Sequence, residues 1–443
     1  MRGDSTFSKV YGLSRNGNDR AVFCIGSLTK ALTANIALEL DRMGQLDLDR
    51  RIESYFGSIF GDPQLNSHVK FSDLLSHRTG LEPYHNMIYF GFPYTDGQEL
   101  IRRIRHFPSV SVYPSDEIYN NILYGVAGQL LTQLSRSGSY WNLLKQKILN
   151  PVGMNDATTV DRLESHPFVA GSSVRTLDGI WHQIHPKDLK LVHPLEPAFG
   201  VCASNLDMQR WIAHLLRQIG RADPTFMRQF TPTSRVNPSY TVGSSGIARI
   251  HSYGLGWQIG TYGPYKLYAH TGFLYGYTTA VWLIPEQNYG AYITITSSRH
   301  YHNQMLDHVL DHVTALALGN PSPPLNPCQL GPSTPDHFCQ FCTNPPDPGF
   351  YAGTYSNPAL GYIVIRNVSG RLSLTVGQIG QAWLCLESQA QPNKLKLAFD
   401  GVQSVYFPDC SEYLIFEGSS GATSPGIFVS FLQPHNPPYF SRI

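Results

Sequence analysis

Residues 319–348, GNPSPPLNPCQLGPSTPDHFCQFCTNPPDP, constrain the fold of this chain more than any other stretch. Each proline removes a backbone donor and fixes φ, so neither a helix nor an interior strand runs through such a segment. It reads as a linker or irregular strap between a long N-terminal part and a short C-terminal one. The total of 443 residues fits that division, being too long for one compact core.

The two flanks differ in texture. In SLTKALTANIALELDRMGQL (27–46), Leu28, Leu32, Ile36, Ala37 and Leu40 recur at helical spacing, with no Pro or Gly before Gly44. This predicts a helix with Ser27 in its first turn. Further helices are predicted over 118–134, 206–219 and 302–318. Between Tyr253 and Ser297, YGLGWQIGTYG, YKLYAHTGF, YTTAVWLIP and YGAYITITSS are short, β-branched or aromatic, and separated by turn residues. They read as consecutive antiparallel strands, and a short strand is expected at Phe7–Tyr11. Helices flanking a meander make an α+β arrangement, not a doubly wound parallel one. After residue 348, short strands alternate with turns to the end, the pattern of a small all-β barrel or sandwich. The expected organisation is a catalytic part (1–318), a Pro-rich linker (319–348) and a small β-barrel (349–443).

Charge narrows the function. With 33 basic and 32 acidic residues, the formal charge of +1 offers no footprint for nucleic acid or an anionic membrane. No run of about 18 apolar residues suggests a membrane span. The polar start MRGDSTFSKVYGLSRNGNDR lacks a signal peptide's apolar stretch, so a cytoplasmic location is expected, a truncated N-terminus being the alternative. Seven scattered cysteines then imply mostly reduced thiols. Cys328, His337, Cys339 and Cys342 are ligand types, but without a second pair they read as free thiols or one disulfide; no metal and no cofactor are expected. The expected partner is a small-molecule substrate, and the oligomeric state stays open.

Three segments carry chemistry. In Ser27-Leu28-Thr29-Lys30, helical spacing lets the hydroxyl and the amine meet. A serine hydroxyl needs a base, and lysine serves as one only when burial lowers its pKa, which the flanking Phe23, Ile25 and Leu32 favour. The helix N-terminus adds donors for an oxyanion. The bland alternative is an N-cap serine beside a solvated lysine. In Tyr119-Asn120-Asn121, the phenol is suited to relay a proton and Asn121 to bind a substrate amide or ester. His270-Thr271-Gly272 lies in a predicted strand where glycine permits close backbone approach and the Phe273 N–H can face a bound carbonyl.

Each match alone is weak; their order is specific. Ser-x-x-Lys, Tyr-x-Asn about 90 residues on and a basic-Thr-Gly about 150 later form the layout of the penicillin-recognising serine enzymes. On these motifs the chain resembles the family of class C β-lactamases, D-alanyl-D-alanine carboxypeptidases and related esterases and transesterases. Phe23 to Lys30, Gly44-Gln45-Leu46-Asp47-Leu48-Asp49, Leu74 to Leu81, Pro151-Val152-Gly153-Met154, Ala203 to Met208 and Tyr253-Gly254-Leu255-Gly256-Trp257 extend the resemblance over residues 8–318. The tail resembles the small lipocalin-like domain of some members. The resemblance implies an antiparallel sheet flanked by helices, with a helical subdomain. It makes Ser27 the acylated nucleophile, Lys30 its base or pKa-setting partner and Tyr119 the proton relay. Asn121, His270, Thr271, Gly272 and Phe273 become substrate-binding, with the N–H groups of Ser27 and Phe273 as the oxyanion hole. Many members carry Lys where His270 stands, and the members' leading helix and strand have no counterpart before Phe7. His77-Arg78-Thr79-Gly80 repeats a basic-Thr-Gly but reads as scaffold. The expected activity is hydrolysis of a small-molecule ester or amide through a Ser27 acyl-enzyme. Acyl transfer to an alcohol or amine in a natural-product pathway, or a non-catalytic scaffold, are the alternatives.

Overall fold

In the computed structural model, the residues described are 1–443 except 4, 13–18, 92–95, 176–180, 298–301, 323–342, 387, 389, 400–402, 405, 408–410 and 419–422. The apolar stripe of the first long helix becomes α1 (Thr29–Arg42), preceded by a tight 3₁₀ turn over Gly26–Leu28. The helix is buried on nearly every side, so its polar residues need partners. Thr33 finds the Pro197 carbonyl and Asn35 finds Gln229. Leading into the turn, β1 (Val22–Cys24) belongs to a three-stranded sheet in the order β1-β3-β2, with β2 at Thr158–Thr159 and β3 at Val201–Ser204.

The meander is a six-stranded antiparallel sheet, β4 (Ser234–Val242), β5 (Ala248–Tyr253), β6 (Gln258–Tyr262), β7 (Tyr265–Leu274), β8 (Tyr277–Ile284) and β9 (Tyr289–Ile295), each paired to the next. Strand periodicity sends alternate side chains to opposite faces. On β8, Val281 and Leu283 join the core that includes α1 and α3 (Asn205–Arg221), whereas Ala280, Trp282 and Ile284 pack with Leu306 and Leu310 of α4 (His302–Leu318). Helices therefore cover both faces. The helical part is built around α2 (Asn121–Ser135). This is the α+β arrangement anticipated from the sequence.

Strand pairing ends unevenly beside α1. The β6–β7 ladder stops at Gln258↔Ala269, while β7 continues to Leu274 paired with β8. That free edge of β7 receives the Gly26–Leu28 turn.

Toward the C-terminus, β10 (Gly353–Asn357), β11 (Gly361–Val368), β12 (Arg371–Val376), β13 (Gly380–Leu386), β14 (Lys394–Phe399), β15 (Tyr413–Phe416), β16 (Gly426–Val429) and β17 (Tyr439–Arg442) close into an eight-stranded barrel. Pairing of Tyr355 with Arg442 shuts the cylinder. Inward residues such as Ile363, Leu374, Leu384, Leu397, Leu414 and Ile427 are buried and fill its interior.

Three expectations change. Phe7–Tyr11 forms no strand: Phe7 and Tyr11 are 81% and 77% exposed, with no partner strand among the described residues, and instead Arg2 bridges Tyr289 at the sheet edge. Reduced thiols give way to a disulfide between Cys24 and Cys202, directly opposed on β1 and β3, and Cys385 is disulfide-bonded as well. The cysteine–histidine group Cys328, His337, Cys339 and Cys342 lies outside the described residues.

Candidate active site

The serine sits where no other residue type could precede it. Gly26 has φ +54°, and a Cβ there would lie 2.4 Å from the Phe273 backbone nitrogen. Glycine lets the turn press against β7, which brings Ser27 beside Phe273. From the opposite direction, a Cβ on Gly272 would lie 2.1 Å from the Ile25 carbonyl oxygen and 2.2 Å from Thr279 Oγ1. Gly272 thus admits the chain's own Gly26–Leu28 turn, whereas the sequence suggested approach of a substrate.

One turn into α1, Lys30 Nζ lies 3.0 Å from Ser27 Oγ, 2.7 Å from Asn121 Oδ1 and 2.9 Å from the Ala198 carbonyl oxygen. The side chain is fully buried, and burial pulls its pKa well below the usual lysine value. A neutral amine has two hydrogens and one lone pair. Asn121 Oδ1 and the Ala198 carbonyl are acceptors only and take the two hydrogens. In that neutral form the lone pair is left for the Ser27 hydroxyl.

The Tyr119 hydroxyl lies 2.8 Å from the same Oγ. Burial pushes this phenol far above its ordinary pKa, so it stays protonated. Its position comes from the residue after it. Asn120 is extended, its side chain accepts from the Ile122 and Leu123 N–H groups, and it thereby caps α2. The helix accordingly begins at Asn121, three residues later than its periodicity predicts, leaving Tyr119 free to turn inward. The Asn120 N–H in turn donates to His77 Nδ1 at 3.0 Å, and the imidazole lies 4.4 Å from the Tyr119 ring, centroid to centroid. Burial, reinforced by Lys30, lowers the His77 pKa and keeps the ring neutral.

His270 departs from its expected role. It is 3% exposed, with Nδ1 donating to the Thr271 carbonyl at 2.7 Å and Nε2 accepting from the Tyr253 hydroxyl at 2.9 Å. Both nitrogens are used, and the ring backs Tyr119 at 6.2 Å. Burial, then Lys30, drops its pKa to about 3, so it presents no cation to a substrate.

Thr271 and Phe273 are half-buried on β7. A two-residue turn closes β7 onto β8 at Leu274↔Tyr277, and antiparallel alternation then directs the Phe273 N–H away from β8, toward Ser27. Asn121 gives Oδ1 to Lys30, and its amide nitrogen has no partner among the described residues. Ser27, Lys30, Tyr119, Asn121 and Phe273 therefore converge. The motif reading missed Ala198, which acts through its backbone oxygen and leaves no side-chain signal. It also missed Tyr253, which stood in view inside Tyr253-Gly254-Leu255-Gly256-Trp257.

Comparison with known proteins adds an independent line. The beta-lactamase family model matches residues 2–314. An unguisins hydrolase of Aspergillus campestris is 25% identical over 346 residues, covering 70% of this chain and 60% of that protein. The D-alanyl-D-alanine-carboxypeptidase/endopeptidase AmpH of Escherichia coli is 23% identical over 340 residues, covering 72% of this chain and 84% of its own length. The chain spans about 60% of the length of the Aspergillus relatives. Among solved structures, an octameric penicillin-binding protein homologue from Pyrococcus abyssi superposes with TM-score 0.57 at 19% identity, over 96% of this chain and 89% of that one. A penicillin binding protein from Bacillus halodurans gives TM-score 0.55 at 19% identity over 71% and 94%.

Proposed function

This chain belongs to the beta-lactamase family, and we propose that it is a serine hydrolase cleaving a small-molecule ester or amide through an acyl-enzyme on Ser27. The single observation carrying this reading is one hydroxyl held between a buried amine at 3.0 Å and a protonated phenol at 2.8 Å. Lys30 takes the Ser27 proton as Oγ attacks the substrate carbonyl. The carbonyl electrons move to its oxygen, which the Ser27 and Phe273 N–H groups stabilise. Collapse breaks the bond to the leaving group, which takes a proton from Tyr119, and Lys30 returns one to Tyr119. Water then enters, gives a proton to the same pair and attacks the ester, and Oγ leaves with that proton. Asn121, through its amide nitrogen, and the free edge of β7 at Thr271 hold the substrate. The relatives' names, a hydrolase and a carboxypeptidase/endopeptidase, support an amide as readily as an ester.

The test is covalent. A fluorophosphonate is expected to label wild type on Ser27, read by peptide mass spectrometry, and to leave Ser27→Ala unlabelled. A folded wild-type protein that stays unlabelled defeats the reading. Added alcohols in a thioester assay separate hydrolysis from acyl transfer: exclusive hydrolysis at every acceptor concentration removes the second.

A further inference from the structure

The barrel's interior is occupied by its own side chains, so any part it takes in the chemistry lies at its surface. One end meets the catalytic part through the segment 82–91. Phe90, fully buried, is inserted among Phe399, Phe407 and Phe431 at centroid distances of 5.4, 5.3 and 5.1 Å. Its carbonyl oxygen accepts from the Gln378 and Ile379 N–H groups, and Asn86 donates to the Phe431 carbonyl. That cluster is the joint.

Continuous with it, through an edge-on contact of Tyr89 with Phe407 at 5.6 Å, lies a second aromatic group that is backed by the buried Tyr275. Tyr406 of the barrel stacks on Tyr89 at 4.6 Å and meets Phe273 edge-on at 5.7 Å, while Tyr89 and Phe273 lie 6.1 Å apart. These three rings are only partly buried, unlike Phe90. They come from three separate segments, and Tyr89 and Tyr406 both meet Phe273, the residue whose N–H faces Ser27. Rings left partly open beside Ser27 suit a binding surface better than a closed joint.

We infer that Tyr89, Phe273 and Tyr406 form a subsite for an aromatic or bulky apolar acyl group, so that the barrel supplies part of the substrate-binding site. The inference rests on the acyl-enzyme reading. The leaving group must lie beside Tyr119, which protonates it, and the acyl chain takes the side lined by Phe273. Stacked and edge-on rings around one apolar group give both area and geometry.

The experiment compares p-nitrophenyl phenylacetate with p-nitrophenyl acetate, which share a leaving group and differ only in the acyl chain. In wild type the phenylacetyl ester is expected to have the higher kcat/KM. Tyr406→Ala should lower the ratio of the two kcat/KM values roughly five- to tenfold, and Tyr406→Phe, which keeps the ring, should preserve it. Thermal unfolding of each variant checks folding, and Tyr406→Leu replaces the alanine variant if that one unfolds. An unchanged ratio in a folded variant lacking the ring, or no acyl preference in wild type, overturns the subsite alone. Turnover of neither ester by wild type removes the acyl-enzyme reading and the subsite with it.

Discussion

Tyr119→Phe separates proton donation from positioning. The substitution removes one oxygen 2.8 Å from Ser27 Oγ and keeps the ring that packs against His77. If the phenol only orients Ser27, the loss is that of one neutral hydrogen bond, about 0.5–1.5 kcal/mol, or roughly tenfold in rate at most. If it protonates the leaving group, the loss is that of a general acid, about 10²–10⁴-fold. The two cases divide on the substrate. An amine cannot leave without a proton, whereas p-nitrophenolate can. A p-nitroanilide and a p-nitrophenyl ester with the same acyl group should therefore respond unequally. The anilide kcat/KM is expected to fall at least about a hundredfold, while the ester keeps its pre-steady-state burst. Stopped-flow absorbance reads both. A similar loss, within about tenfold, on both substrates would refute proton donation and leave Tyr119 a positioning residue.

Three other variants test separate parts of the site and its support. Lys30 acts as a base only when neutral, so kcat/KM should rise with pH through an ionisation below the usual lysine range; burial sets that direction. Lys30→Arg, which cannot lose its proton, should be inactive across the range, and activity in that variant would exclude the amine as base. Gly272→Ala puts a methyl 2.1 Å from the Ile25 carbonyl and should lower the unfolding midpoint and push the Ser27 turn off β7; a wild-type midpoint and wild-type turnover together would show the contact to be slack. Joint replacement of Cys24 and Cys202 by Ser releases a crosslink between positions 178 residues apart and should cost about 2–5 kcal/mol in denaturant unfolding. An unchanged midpoint would mean the bridge contributes nothing to stability.

Legibility in the sequence followed the physics of each feature. The Ser27–Lys30 pair was visible because helical spacing alone brings positions three apart together. Tyr119 and Phe273 were visible only through the order of motifs, since nothing local joins residues 92 and 246 positions from the serine. The Cys24–Cys202 bridge was not visible, because it depends on which strands pair, and β1 and β3 are short and distant in sequence. Phe7–Tyr11 has the composition of a strand but no neighbour among the described residues to complete its hydrogen bonds, and without one it stays irregular. The start of α2 was misplaced by three residues because an apolar stripe reports a helix face and not its cap. The capping side chain, Asn120, was in plain sight as a residue type and unreadable as a boundary.

Burial acts on more of the site than Lys30. His77 and His270 are both kept uncharged by burial, each further lowered by Lys30, and the phenol of Tyr119 is held protonated by the same dry surroundings. Were His270 a fixed cation, as a lysine at that position would be, it would depress Lys30 further but would also draw an anionic substrate group toward Tyr119. Here its Nε2 is given to Tyr253 and its Nδ1 to the Thr271 carbonyl. On the proposed reading, recognition comes from groups without net charge: the amide nitrogen of Asn121, the open edge of β7 and the rings of Tyr89, Phe273 and Tyr406. With His270 held neutral, the site is expected to favour a neutral ester or amide over a carboxylate-bearing one, because that ring does not offset the desolvation of an anion. On the acyl-enzyme reading proposed above, an oxyanion matched by a protonated Lys30 would exist only while the tetrahedral species lasts, which is when the two N–H groups beside Ser27 would be of use.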